Sequence, residues 1–242
     1  MHLVNIRVNN ESFPTTGVYP FSLDVLRRTD SLALTGPVTF FVGENGSGKS
    51  TLLEALATRC GIYIWRGDER ERSTHNPMER ELYRYLEIEW ADRRVPGAFF
   101  SSNLFLNFAR ILDEWAAADP GVLEYFGGQS LLTQSHGQSL MSFFRSRFRI
   151  KGLYLLDEPE TALSPATQIE LLRLIDALSA DGHAQFIIAT HSPILMYCPG
   201  ARIYSFDHAP VEPIMYEETD HFRVYRDFMI DPDRAVKNGD DG

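Results

Sequence analysis

The sequence predicts an α/β domain: a mostly parallel sheet core covered by helices, with an antiparallel β part at the N-terminus and a small mixed, helical lobe inserted. Three observations carry this. The short apolar runs VTFFV, LYLL and QFIIA each stop at glycines or polar residues, as strands buried on both faces do. Runs of good helix formers lie between them, and such alternation implies parallel strands joined by covering helices. At the N-terminus, His2 to Val8 alternates, with Val4, Ile6 and Val8 on one side of a half-buried strand.

In chain order, a second extended stretch is expected around Phe21 to Val25, and Pro37 opens the strand VTFFV. A helix runs from Lys49 to Ala57 without a breaker. The interval from about 61 to 134 is the expected lobe, within a single domain spanning 1–242. It holds an alternating strand at Leu82 to Trp90 and an amphipathic helix with Leu104, Phe108, Ile111, Leu112 and Trp115 on one face. The core resumes with a helix from about Ser139 carrying Leu140, Phe143, Phe144 and Phe148, then the strand Leu153 to Leu156. Pro165 is a good first helical residue, and Asp181-Gly182 stops that helix. Strands QFIIA and RIYSF follow, with a last helix near Thr219-Asp220 and an unstructured tail NGDDG.

Composition narrows the function classes. The 242 residues are 44% hydrophobic and 23% charged, ordinary for a soluble domain. No apolar run approaches the roughly 18 residues of a membrane-spanning helix. The opening MHLVNIRVNN lacks the pattern of a secretory signal, and the two cysteines, Cys60 and Cys198, suit a reducing cytoplasm. A net charge of -10 argues against coating nucleic acid by electrostatics alone.

GENGSGKS, Gly43 to Ser50, fits G-x-x-x-x-G-K-[ST] between a strand and a helix. Gly43, Gly46 and Gly48 let backbone N–H groups turn inward, so that Glu44, Asn45 and Ser47 join them around phosphates. Lys49 reaches the β- and γ-phosphates, Ser50 offers a hydroxyl to Mg²⁺, and Thr51 follows at the start of the helix. The strand in GLYLLDEPE ends in two carboxylates: Asp157 is placed to hold the Mg²⁺, and Glu158 to orient and deprotonate the attacking water. His191 follows strand FIIAT, at the ligand-binding edge of an open α/β sheet, where it can hydrogen-bond the γ-phosphate.

The series GENGSGKS, SHGQS (Ser135 to Ser139), LYLLDEP, TALSP (Thr161 to Pro165) and THSP (Thr190 to Pro193) resembles the ABC ATPase superfamily of P-loop NTPases. Within it, the blocks look like small soluble bacterial ATPases near the SMC and RecF branch rather than transporter subunits. The resemblance implies ATP and Mg²⁺ as cofactors and a homodimer closed by ATP. In that dimer Ser135 and the backbone of Gly137 of one copy touch the γ-phosphate held by the other.

Three positions depart from the family pattern. His136 replaces a glycine of the commonest signature, and Ser164 stands where many relatives have aspartate. The loop FFSSNLF, Phe99 to Phe105, puts Ser101, Ser102 and Asn103 where transporters carry a metal-contacting glutamine and the small soluble group often has Arg-Ala-Glu. Turnover in an ATP-driven dimer is the leading expectation. An ATP-gated switch with little turnover, and a transporter nucleotide-binding subunit, are the alternatives. Tyr19 and Phe21 are candidates to stack on adenine, or are ordinary surface and core aromatics. Arg145, Arg147, Arg149 and Lys151 either complement a helix C-terminus or contact DNA, and a protein partner is the other possibility.

Overall fold

The computed structural model describes residues 1–65, 76–126, 128–133 and 136–237. Ser135 and the tail NGDDG lie outside the described residues. In chain order, β1 (Leu3–Val8), α1 (Asp24–Arg28) and β2 (Ser31–Ala33) precede β3 (Val38–Val42) and α2 (Lys49–Arg59). Then come β4 (Leu86–Trp90), β5 (Gly97–Ser101), α3 (Ser102–Ala118) and α4 (His136–Arg147). The second half adds β6 (Gly152–Asp157), α5 (Pro165–Ala180), β7 (Ala184–Ala189), α6 (Pro193–Met196), β8 (Arg202–Ser205) and β9 (Glu212–Ile214). Helices α7 (Asp220–Ile230) and α8 (Pro232–Lys237) close the described chain.

The main sheet has the order β5-β6-β7-β3-β8-β9, parallel except for the antiparallel edge strand β9. Its central strands β3, β6 and β7 are buried along their whole length because both faces are covered, and the two-residue period assigns each side chain to a face. Phe41, Leu153, Leu155 and Ile187 point into one core with α2 and the N-terminal sheet. Phe40, Val42, Tyr154, Leu156, Phe186 and Ile188 point into the other, against α3, α4 and α5. The smaller antiparallel sheet has the order β2-β1-β4. Within the interval 61–134, β4 therefore pairs with β1, and β5 with β6.

Two local expectations are corrected. Phe21 to Val25 is not an extended segment but a bend leading into α1. Residues Asp24–Arg28 are helical there, with Val25 and Leu26 buried. FFSSNLF is not a loop: Phe99–Ser101 completes β5 beside β6, and α3 starts at Ser102. Helix α3 buries Phe105, Phe108, Ala109 and Leu112, while Trp115 stays exposed.

A buried glutamine joins the two sheets. Gln185 Oε1 accepts the N–H groups of His2 and Leu3, each at 2.7 Å, and its Nε2 donates to Leu3 O at 2.7 Å. Gln185→Leu leaves these backbone groups buried without partners, at about 1–3 kcal/mol each. The expected result is a cooperative unfolding midpoint lowered by several degrees in thermal denaturation.

Candidate functional site

Five adjacent parallel strands deliver their chemistry to one edge of the main sheet. From β5 to β8 the groups are Ser101, Asp157-Glu158, His191, the glycine loop and Asp207. Ligands bind outside the carboxyl ends of such strands.

In the glycine loop, Gly43, Gly46 and Gly48 have φ of 139°, 80° and 104°, a region that favours glycine. At Gly43 there is a second constraint: a Cβ would stand 2.9 Å from Asp207 Oδ1. That carboxylate accepts the Glu44 N–H at 2.8 Å and fixes the start of the loop. The Lys49 ammonium is held at the loop's centre by Gly43 O at 2.6 Å and Glu44 O at 2.8 Å. Burial lowers its pKa, while the carboxylates of Glu158, Asp207 and Asp157 pull it back up. Tyr19 OH meets Thr51 Oγ1 at 2.7 Å, and the residue is 41% exposed. Phe21 is wholly buried, 4.9 Å from the Phe13 ring and 5.2 Å from Tyr85, so it is a core aromatic with no face open to a base.

Asp157 ends β6, only 5% exposed. Its Oδ1 accepts from Ser50 Oγ at 2.7 Å and its Oδ2 from Ser101 Oγ at 3.4 Å. Burial pushes its pKa up to about 6, with the Ser50 hydrogen bond opposing and the Glu158 charge adding to the rise. A raised carboxyl pKa makes the folded state less favourable once pH climbs from the unfolded value towards the folded one. Set against an ordinary value of 3.8, the penalty is fully present above pH 6, at about 3 kcal/mol, and absent below about pH 3.8. Asp157→Asn is therefore expected to melt at higher temperature than the natural protein above pH 6, with that advantage gone near pH 4. Thermal denaturation without nucleotide checks this.

Glu158 has φ 48° and ψ 52°, a left-handed conformation that costs a non-glycine residue about 1–2 kcal/mol. The backbone is over-determined there. Its N–H donates to Ala189 O at 2.9 Å, and its carbonyl accepts from Thr161 N at 3.2 Å, Thr161 Oγ1 at 3.1 Å and Ser102 Oγ. This kink turns the side chain away from the strand line, and Oε1 lies 3.6 Å from His191 Nε2. Ser101 and Ser102, flagged above as departures, thus each support one member of the acidic pair. Asn103 is exposed.

His191 is held at two points. Its N–H donates to Glu160 Oε1 at 2.6 Å, and its Nδ1 lies 2.8 Å from His221 Nε2. Its Nε2 is buried and, among the described residues, makes no hydrogen bond. Burial lowers the His191 pKa, with Lys49 and His221 adding to the fall. Gly137, in the first turn of α4, lies near the loop after β6: a Cβ there would be 3.6 Å from Ala162 O. Arg145, of the basic run, is paired with Glu170 on α5.

Asp207, His221 and Glu160 escaped the sequence reading, which named Ser102 only as a departure. The rule that found His191 also finds Asp207, since it follows a parallel strand at the same edge. Nothing local marks His221, which reaches the site from the start of α7.

A glycine loop between buried strand and helix, its lysine at the centre and an acidic strand end beside its serine hydroxyl, defines a P-loop NTPase. Residues 139–196 match the family model described as "AAA domain, putative AbiEii toxin, Type IV TA system", and residues 20–76 match a second model described as "AAA domain". The chain is 31% identical over 185 residues to the thiamine import ATP-binding protein ThiQ of Cereibacter sphaeroides, covering 70% of this chain and 77% of that one. It is 29% identical over 181 residues to the cobalt import ATP-binding protein CbiO of Salmonella typhimurium, covering 69% and 66%. Its fold is similar to that of cbiO1 from Clostridium perfringens, with TM-score 0.54, 16% identity, and 99% and 100% coverage. The chain belongs to the ABC-type P-loop ATPases: it binds ATP and hydrolyses it.

These relatives carry the names of transporter subunits, whereas the motifs pointed to the SMC and RecF branch. Among the described residues no helix is long and apolar enough to cross a membrane, and no three His, Cys, Asp or Glu side chains cluster as a metal site.

Proposed function

We propose that two copies of this chain close head to tail on ATP and hydrolyse it at their interface, each site built from one copy's strand edge and the other's α4. The observation that carries this reading is the buried, unbonded Nε2 of His191 facing Glu158 beside the glycine loop. An orphaned polar atom there calls for a ligand oxygen, and the γ-phosphate supplies one. Lys49 and the loop N–H groups bind the β- and γ-phosphates, Glu158 takes a proton from the attacking water, and Tyr19 offers adenine a platform.

The donors around Asp157 fit Mg²⁺. Ser50, Asp157 and Ser101 present only hard oxygen atoms, and a carboxyl raised to about pH 6 by burial is returned to its anion by a nearby cation. When bound, Mg²⁺ would neutralise charge developing on the phosphates.

The relatives favour one coupling over the other. Their names support a nucleotide-binding subunit of an importer, and Ser101 to Asn103 in place of the glutamine supports a stand-alone ATPase. Purification from native membranes and from the soluble fraction separates them, by whether a membrane-spanning protein accompanies the chain.

The composite site has its own test. Gly137→Arg is expected to keep ATP binding in its own copy and lose turnover, because its fault lies in the neighbour's site. Mixed with Lys49→Ala, it should regain part of the activity, since one intact site forms from the two. Loss of ATP binding in Gly137→Arg itself, or no recovery on mixing, would count against the sandwich.

A further inference from the structure

The ring of His191 touches a second histidine that the reaction scheme does not use. His221 is the second residue of α7, and its Nε2 lies 2.8 Å from His191 Nδ1, with the ring centroids 5.0 Å apart. Helix α7 is anchored at its start. Thr219 caps it, accepting the Phe222 N–H at 3.2 Å and donating to Tyr216 O at 2.8 Å. Tyr216 OH donates to Pro193 O at 3.0 Å, two residues beyond His191. The helix start and the loop carrying His191 are thus tied together at two places.

We propose that His221 is a positioning residue for hydrolysis: its Nε2–H donates to His191 Nδ1 and keeps the His191 proton on Nε2, facing Glu158 and the γ-phosphate. The inference rests on the reading of His191 as the γ-phosphate contact.

Burial lowers the pKa of both rings, so both are neutral near neutral pH and one must donate to the other. Two arrangements exist. If His191 donated from Nδ1, its Nε2 would turn a lone pair towards the Glu158 carboxylate 3.6 Å away and would have no proton to offer a phosphate oxygen. If His221 donates, the His191 Nε2–H faces that carboxylate and suits an anionic ligand. Electrostatics select the second arrangement. The partner of one ring nitrogen fixes which tautomer the other presents. Meanwhile Glu160 holds only the His191 backbone, so the ring's orientation falls to His221.

The test compares kcat and KM for ATP in His221→Leu, His221→Gln and His191→Ala. Leucine keeps much of the volume without the donor, and the glutamine amide nitrogen takes the place of the ring Nε2–H. The expected result is a kcat lowered about tenfold or more in His221→Leu with KM nearly unchanged, and restored to within about threefold in His221→Gln. An unchanged KM shows that the leucine variant is folded and loads ATP. If His221→Leu keeps its kcat, or His221→Gln falls as far as His221→Leu, the inference is overturned. His191→Ala separates the two levels. Turnover lost there but kept in His221→Leu overturns only the role of His221, whereas turnover kept in His191→Ala overturns the reading of His191 and this inference with it.

Discussion

Glu158→Gln is expected to lower kcat by about 10²- to 10⁴-fold while ATP still binds, the range that a positioned general base contributes. The substitution keeps the size and hydrogen-bonding reach of the side chain and removes only its capacity to accept a proton. The left-handed backbone at this position is held by Ala189 O on one side and by Thr161 and Ser102 on the other, so the amide stays where the carboxylate was. Single-turnover kinetics with a parallel binding measurement check this. A kcat within threefold of the natural protein would move the base elsewhere. Ser102→Ala should show a milder form of the same loss, because it loosens the Glu158 carbonyl and leaves the carboxylate in place.

Lys49→Ala is expected to weaken ATP binding by about 2–5 kcal/mol, or roughly 30-fold or more in Kd, the cost of leaving a desolvated charge without its partner. Lys49 is 4% exposed and sits among the loop carbonyls, so the substitution removes a buried cation. The same change leaves the carboxylates of Glu158, Asp207 and Asp157 without their shared cation. Nucleotide titration by calorimetry reads the effect. An ATP affinity equal to that of the natural protein would mean that the phosphates lie elsewhere.

Much of this architecture is written locally. The strand–glycine–helix series around Gly43 to Ser50, the acidic end of β6 and the histidine after β7 each depend on a few contiguous residues, and the structure gathers them on one edge. What the sequence does not show is set by strand order. Alternation of strands and helices is the same whether β3 lies at the edge or between β7 and β8. Yet Asp207 meets Glu44 because β8 lies beside β3, and Ser101 meets Asp157 because β5 lies beside β6. The His191–His221 contact likewise depends on where α7 docks. Phe21 stayed open between two readings for a different reason. An aromatic upstream of a phosphate loop has the same sequence signature whether it faces adenine or, as here, the rings of Phe13 and Tyr85.

The central claim is that ATP itself holds two copies together across the site. Sedimentation of Glu158→Gln with and without Mg-ATP tests it most directly, because the variant binds nucleotide without consuming it. The account predicts a shift to twice the chain mass when Mg-ATP is added, reversed when ADP replaces it. A mass equal to one chain under both conditions would contradict it.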